Sequence, residues 1–263
     1  MIHKAIGDDY IQYDTKLAVF FPKIKNSELI TIKDMLYHRS GIYNYTVTSG
    51  FLEWAETFRI KEEMLELICN FEPAGLPNET IAYSNSNYLL LGYILEAIYQ
   101  KPYKYIVKEL ITDILGLKNT LYAETISIDN NEIYSFVYNN NVIEISKEMN
   151  LSVTGGAGSL VSTVEDMAIF IEGLFDNKLI PENIVLNMIE PIYDIGRGMF
   201  LGKGIFKIFT DSGYFYGHEG SVDNFYTILL YESIEKITIT FCVNGINGNI
   251  YSVIEEIKNI LFE

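Results

Sequence analysis

Two short polar segments carry the side chains best suited to proton transfer. Tyr83-Ser84-Asn85 comes directly before a helical pattern, and His218-Glu219-Gly220 lies in strand-like sequence. Tyrosine and histidine can pass protons, and an asparagine amide can orient a substrate. A tyrosine, with an ordinary pKa of about 10, acts as a base at neutral pH only beside positive charge. Taken alone, the same residues fit a turn, a helix N-cap and a hydrogen-bonded strand histidine more simply.

Motifs of other enzyme classes are absent or incomplete. Ser159 lies between Ala157 and Val161, whereas a nucleophile elbow needs glycines at those two positions. The segment 198–204 is one residue short of a phosphate-binding loop, and no Ser or Thr follows Lys203 to hold magnesium. We therefore expect neither a nucleophile elbow nor a phosphate site.

Composition and charge restrict the partners. The chain has 263 residues, is 49% hydrophobic and carries a net charge of −16, so it is not disordered in general and it repels nucleic acid and anionic membrane surfaces. It contains no apolar run long enough to span a membrane, and its first residues lack the apolar core of a secretory signal. As written, the chain is expected in the cytoplasm, and its true compartment is left open.

The cysteines and histidines do not form a metal-binding pattern. Cys69 lies in a helical pattern and Cys242 in a strand pattern, so two buried, inert thiols are the default and a disulfide stays open. The histidines, His3, His38 and His218, are far apart in sequence. We expect no metal and no cofactor.

The first two-thirds of the chain is predicted to be mainly helical. Thr31 to Asp34 forms a capping box that should start a short helix ended by Gly41. Apolar spacing and helix-breaking residues predict three further helices, over Phe51 to Asn70, from near Asn85 to before Pro102, and over Tyr105 to Leu115. Between 121 and 144 we expect short strands with an Asn-rich turn at Asn139 to Asn141.

The rest of the chain changes from helix to strand. Ser162 to Glu165 is a second capping box, which should open a helix. Four strands are predicted after Pro191, over Met199 to Phe209, Gly213 to Gly217, Phe225 to Tyr231 and Ile237 to Val243. Ile250, Ile254, Ile257 and Leu261 predict a C-terminal amphipathic helix. Helices followed by antiparallel strands indicate an α+β fold.

Four segments in this order resemble the serine β-lactamase and penicillin-binding family of the class C type, which includes DD-carboxypeptidases and esterases. They are Ile30 to Ile42, Tyr83 to Gly92, Gly155 to Asp166, and Tyr216 to Gly220. The resemblance implies one domain over residues 1–263, incomplete at the N-terminus. In that domain a mostly helical region covers about 31–190, and an antiparallel sheet with a C-terminal helix covers about 191–263.

The resemblance also implies roles for particular residues. Tyr83 matches the family tyrosine that shuttles protons, and Asn85 matches the asparagine that binds the substrate amide. His218 and Gly220 match the strand that edges the site, and the backbone N–H of Ser221 matches an oxyanion donor. His38 has no assigned catalytic role, and the glycines of the third segment are expected to form turns with unusual dihedrals. The implied substrates are small molecules or peptides with an acyl group: D-alanyl peptides, β-lactams or esters.

The nucleophile of that family has no counterpart in the expected place. Relatives carry Ser-x-x-Lys on a helix upstream of this region, but the first serine here is Ser27. The one Ser-x-x-Lys, Ser233 to Lys236, falls between two predicted strands, where serine and lysine would not share a helix face. We therefore expect a chain that lacks the nucleophile helix and two N-terminal strands and does not acylate.

The same reasoning leaves other functions open. The chain could be a non-catalytic ligand-binding or regulatory member of the fold, or a decayed gene remnant. An incomplete sheet has an exposed edge, and a missing central helix leaves apolar surface open. We expect such a chain to be marginally stable or to associate with itself through that edge.

Overall fold

The computed structural model describes residues 1–125, 132–139, 142–146, 149–190, 192–196, 198–210, 213–245 and 256. Helices predominate before Leu121, and a large antiparallel sheet occupies the last part of the chain. This confirms the predicted α+β fold, an antiparallel sheet flanked by helices plus a mostly helical region. The described residues before Leu121 form no strand and contribute only an isolated bridge between Lys16 and Thr31.

The helices are short, apart from the one that follows Ser84. Those of the helical region are α1 (Ile2–Gly7), α2 (Ile32–Leu36), α3 (Phe51–Trp54), α4 (Lys61–Asn70), α5 (Asn85–Tyr99), α6 (Tyr103–Val107) and α7 (Asp113–Leu115). A π-helical segment, Lys108–Thr112, joins the last two. Two further helices, α8 (Val164–Phe175) and α9 (Glu182–Ile189), pack beside the sheet.

The strands form one large sheet and two small two-stranded sheets. In the small sheets, β1 (Leu121–Tyr122) pairs with β4 (Leu160–Val161), and β2 (Phe136–Asn139) pairs with β3 (Val142–Ile145). The large sheet contains β5 (Tyr193–Gly196), β6 (Met199–Leu201), β7 (Phe206–Thr210), β8 (Gly213–Val222), β9 (Phe225–Glu232) and β10 (Ile237–Val243). Its neighbouring strands are also neighbours in sequence and run antiparallel, with β10 and β5 at the two ends.

The start of α2 follows the predicted capping box, but its end does not follow the prediction. The Thr31 hydroxyl accepts the Asp34 N–H at 3.1 Å, and the Asp34 carboxylate accepts the Thr31 N–H at 2.9 Å. The helix ends at Leu36, and His38 takes the left-handed conformation with φ +51°. Gly41 is therefore not the cap. It is needed because a Cβ there would lie 2.1 Å from the Gly75 carbonyl oxygen.

The central helix α5 packs its backbone closely against the segment 155–157. A Cβ on Gly156 would lie 2.4 Å from the Tyr88 carbonyl oxygen, so only glycine fits. Unusual dihedrals were predicted for the glycines of this segment, and this is correct only for Gly155, with φ +45°. Gly156 is needed for space instead, and Gly158 is extended. The close approach fixes α5, and with it the residues just before the helix.

Other predicted boundaries differ because tertiary contacts override local preference. The helix predicted over Phe51 to Asn70 is broken after Trp54, where the Ala55 carbonyl accepts the Asn150 N–H and the Arg59 N–H binds the Ser152 hydroxyl. The helix predicted over Tyr105 to Leu115 begins at Tyr103 and contains the π segment.

The strand boundaries and the second helix cap also need correction. The strand predicted over Met199 to Phe209 is a hairpin, turning at Gly204 with φ +86°. The strand predicted over Gly213 to Gly217 continues to Val222. The predicted second capping box is not formed; the cap is Thr163, one residue after Ser162, and its hydroxyl accepts the Asp166 N–H while the Asp166 carboxylate binds Asn119 and Thr120.

Predictions for the cysteines and the chain end have mixed outcomes. Cys69 is partly exposed and Cys242 is exposed, so the prediction of two buried thiols is wrong; both are free. The predicted helix from Ile250 to Leu261 and most of the turn at Asn139 to Asn141 lie outside the described residues. Within the described ranges, every helix is too short or too polar to cross a membrane.

His3 ties α1 to the sheet region through a buried polar cluster. Its Nδ1 lies 2.9 Å from the Tyr13 hydroxyl, and its Nε2 lies 2.8 Å from the Lys203 carbonyl oxygen. Burial lowers the pKa of His3 to about 4. The ring is therefore neutral at pH 7 and can accept one hydrogen bond while donating the other.

We expect the free energy of unfolding to fall by about 3 kcal/mol through His3 as pH drops from 6.5 to 4. The unfolded chain takes up this proton with an ordinary pKa, whereas the folded chain takes it up only near pH 4. Urea unfolding at several pH values measures the loss. The His3→Gln variant keeps a donor and an acceptor and should show a shallower slope; an unchanged slope contradicts the prediction.

Two glycines on β8 provide a matched pair for testing the packing. A Cβ on Gly217 would lie 1.9 Å from the Leu229 carbonyl oxygen, whereas a Cβ on Gly220 would meet nothing within 4 Å. Gly217→Ala should destabilise by about 3 kcal/mol because backbone must move. Gly220→Ala should stay within about 0.5 kcal/mol of the parent. Equal unfolding midpoints in urea for both variants would refute the described strand register.

Candidate active site

Tyr83 lies just before α5 and is half exposed, at 50%. Its ring stacks on that of His38, with centroids 4.1 Å apart and planes 27° apart. The phenol therefore has one face covered and the rest open to solvent. Such a placement suits a group that exchanges a proton with a bound molecule.

His38 holds the Tyr83 segment in place at several points. It is almost fully buried, at 2% exposure, and its Nδ1 accepts the Ser84 N–H at 3.1 Å. Its carbonyl oxygen accepts the Ala82 N–H at 2.9 Å. Burial lowers the pKa of His38 to about 4, and His218, when protonated, acts in the same direction. The ring is thus neutral at pH 7, with its proton on Nε2.

Asn85 is the first residue of α5, and its side chain is tied to a neighbouring loop. Its Nδ2 donates to the Thr46 hydroxyl at 3.0 Å, and its backbone N–H donates to the Asn44 side chain at 3.1 Å. Ser84 occupies the N-cap position but its hydroxyl makes no capping bond. Ser84 is therefore the N-cap by its backbone, and Asn85 lies one residue inside the helix with its side chain bound to the neighbouring loop.

His218 lies on β8, in the stretch that continues past the pairing with β7. Its Nδ1–H donates to the Glu219 carbonyl oxygen, and its ring stacks on Phe206 at 4.5 Å between centroids. Burial lowers its pKa, although Glu219 acts in the opposite direction. The neutral ring keeps Nε2 as a hydrogen-bond acceptor.

The β8 edge beside these residues is open. The ladder between β7 and β8 ends at the pair Phe206 and Gly217, whereas β8 continues to Val222. Both Gly220 and Ser221 are exposed. On the side of β7, this stretch of β8 has no strand partner among the described residues, so its backbone groups there can bind an extended ligand.

The charge around Tyr83 does not prepare it to act as a base. Partial burial raises the pKa of Tyr83, and the negative charge of Glu219 raises it further. No positive charge opposes these two causes among the described residues. The phenol is therefore protonated at neutral pH and can donate a proton or a hydrogen bond.

Electrostatic interactions join the two sides of the site. The charge of Glu219 on β8 raises the pKa of Tyr83, and protonation of His218 would lower the pKa of His38. The ring of Tyr88 on α5 lies 5.0 Å from that of His38 and lines one cavity with His218, so α5 and β8 border a common cavity. Asn85 lies one position past Ser84 on the same element, with its side chain directed to Thr46.

Sequence reasoning missed two residues of this arrangement. His38 was given no role, yet it stacks on Tyr83, and Glu219 was not singled out, although its charge acts on the same phenol. Both lie inside segments that carry the family resemblance. Their position inside these segments could have identified His38 and Glu219 as candidate site residues.

A largely apolar cavity of about 250 Å³ adjoins the candidate site. It lies between α1, α5 and the sheet, and His218 and Tyr88 are among its lining residues. The described residues contain no cluster of three or more His, Cys, Asp or Glu side chains that could hold a metal ion.

Ser233 to Lys236 forms the turn of a hairpin between β9 and β10. Lys236 has a left-handed backbone and its Nζ lies 3.4 Å from an Asp176 carboxylate oxygen. The two residues do not share a helix face, as predicted. This Ser-x-x-Lys therefore lacks the geometry of a nucleophile and its lysine.

Curated relatives cover most of this chain but are themselves longer. The teichoic acid D-alanine hydrolase of Staphylococcus aureus (strain MRSA252) is 24% identical over 174 residues, which is 66% of this chain and 42% of that protein. The chain spans about half the length of the curated relatives it matches, 49% of one and 42% of another.

Solved structures share the fold over almost the entire chain. The D-stereospecific amidohydrolase from Streptomyces sp. is 22% identical, with a TM-score of 0.87 over 97% of this chain and 81% of that one. The D-amino acid amidase from Ochrobactrum anthropi SV3 is 21% identical, with a TM-score of 0.88 over 99% and 79%. The sequence profile of the family described as Beta-lactamase matches residues 1–249. The chain therefore belongs to the beta-lactamase family.

Proposed function

We propose that this chain carries the substrate-binding and proton-handling half of a serine acyl hydrolase for D-alanyl peptides, β-lactams or esters. The observation that supports this most strongly is that Tyr83 stacks on His38 and feels the charge of Glu219, which lies on the stretch of β8 that β7 leaves unpaired. The relatives named for D-alanine hydrolysis and D-amino acid amides point to the same substrate chemistry. We also propose that residues 1–263 act as a single domain, because the site is assembled from both the helical region and the sheet.

The proposed roles divide the reaction among five groups, and Gly220 provides space for substrate. A helix-borne serine attacks the carbonyl, and its proton passes through Tyr83 to the leaving amine or alcohol. The Asn85 amide holds the substrate amide, and His218 accepts a hydrogen bond through Nε2. The backbone N–H of Ser221 stabilises the oxyanion. Gly220 leaves open space beside the strand, where substrate can approach.

We further propose that the 263-residue polypeptide does not itself acylate. It contains a single Ser-x-x-Lys, and that pair lies in a hairpin turn. Removing the nucleophile of a comparable hydrolase lowers turnover on the order of 10⁶-fold. Tyr83, without a nearby cation to lower its pKa, cannot replace the missing lysine as a base.

Incubation with a fluorescent penicillin should leave the polypeptide unlabelled after denaturing electrophoresis. Ser233→Ala serves as the matched control, since it removes the one serine of a Ser-x-x-Lys. Covalent label that survives denaturation would contradict the proposal of inactivity. Label that disappears in Ser233→Ala would identify the hairpin serine as a nucleophile.

The second candidate function is a non-catalytic binding or regulatory module. The neutral histidines and the protonated Tyr83 favour it, because such a site can hydrogen-bond a ligand without activating a nucleophile. Saturable binding of a D-alanyl-D-alanine peptide without turnover would separate this function from that of a decayed remnant.

We propose that the chain associates with itself through β10. This strand ends the described sheet and pairs only with β9 there, and an unpaired strand edge is a template for a second chain.

Sedimentation velocity at rising concentration should show mass above that of a monomer. Cys242→Lys, in reducing buffer, places a charge on this edge strand and should restore the monomer, since the Cys242 side chain is already exposed. Ile234→Lys adds the same charge at the exposed hairpin turn and should leave the association unchanged. A monomer that melts in one sharp two-state transition would overturn this proposal.

A further inference from the structure

Glu219 lies within the candidate site and has no role in the chemistry proposed above. It stands between His218 and Gly220, on the part of β8 that β7 leaves unpaired. Its side chain is partly exposed, so a bound molecule can reach it. A carboxylate at this place adds negative charge next to the groups that handle the substrate.

The carboxylate is held in place but its charge is not neutralised. The Tyr226 hydroxyl donates to Oε2, and Oε1 accepts no hydrogen bond from any described residue. In the same part of the chain, no Lys, Arg or His side chain lies within ion-pair distance of Glu219. One oxygen is thus oriented by Tyr226, while the other is free to accept from a ligand.

We propose that Glu219 binds the free α-ammonium group of an aminoacyl substrate. The site would then prefer aminoacyl esters and amides, which keep that ammonium, over substrates that present a carboxylate to β8. This inference rests on the proposed function and narrows its substrate class.

Charge is what distinguishes these substrate classes. An ammonium placed against a carboxylate forms a charge-assisted hydrogen bond, stronger than one between neutral groups. β-Lactams and peptides that end in D-alanine carry a carboxylate, which Glu219 would repel. The net charge of −16 adds to this preference for cations at low ionic strength.

A purely structural role for Glu219 predicts a different result. If its carboxylate only accepted the hydrogen bond from Tyr226, a glutamine would serve equally well, because its side-chain oxygen can accept the same bond. Glu219→Gln therefore preserves the local contact while removing the charge. The variant separates the ligand-binding role from the structural one.

The test compares two ligands of nearly equal shape, D-alaninamide and D-lactamide, which differ in having an ammonium or a hydroxyl group. Dissociation constants are measured by ligand-observed NMR on the 263-residue chain at low salt and about pH 6.5, where an α-amine is protonated. We expect D-alaninamide to bind about tenfold tighter, and this ratio to fall to about one in Glu219→Gln. Glu235→Gln removes the same charge from an exposed turn and should keep the preference.

The outcomes separate this inference from the proposed function. Equal binding of the two ligands by the parent chain would overturn the inference and leave the proposed function intact. A preference that persists in Glu219→Gln would also overturn it, because another group would then bind the ammonium. If neither ligand binds the parent chain, the proposed function fails and the inference fails with it.

Discussion

The contact between His38 and the Tyr83 segment is the interaction on which the candidate site depends. One buried residue accepts two backbone hydrogen bonds, from Ala82 and Ser84, and stacks its ring on Tyr83. The ring can accept the Ser84 N–H only as a neutral imidazole, because a protonated ring has no acceptor at Nδ1. Burial supplies that condition by lowering the pKa of His38. The position of the phenol is thus set by the packing between α2 and α5, not by the loop that carries it.

The geometry of the site and its electrostatic state support different conclusions. A phenol and an amide lie at the start of α5, and β8 has an open edge, and these are the groups that the proposed hydrolase would use. The charges do not fit that proposal, because both histidines near the site are neutral and Tyr83 is protonated at pH 7. The described residues place no cation close to the phenol. Under the proposed function, the scaffold would position the substrate, whereas the nucleophile and the base would have to be supplied by groups other than the described residues.

Sequence patterns predicted what local physics controls. The capping box at Thr31 and the apolar face of α5 depend on nearest neighbours and on periodicity, and they are confirmed, as is the change from helix to antiparallel strand after Pro191, although not the strand boundaries. Features decided by distant contacts were not predictable in this way. The break after Trp54 depends on Asn150, and the left-handed conformation of His38 replaces the expected Gly41 cap. In the same way, Tyr83 and Asn85 were recognised from a motif, but the partner of Tyr83 was visible only in three dimensions.

Glu219 connects substrate binding with proton transfer, provided that it binds an ammonium group. In the free site its negative charge stabilises the protonated phenol and so opposes the role of Tyr83 as a base. An ammonium seated against the carboxylate would offset that charge and bring a positive charge toward the phenol. Both effects lower the pKa of Tyr83 at the moment when substrate is present. The carboxylate of Glu219 thus opposes deprotonation of Tyr83 in the empty site. With an ammonium bound to it, the same carboxylate would make proton transfer depend on a cationic substrate.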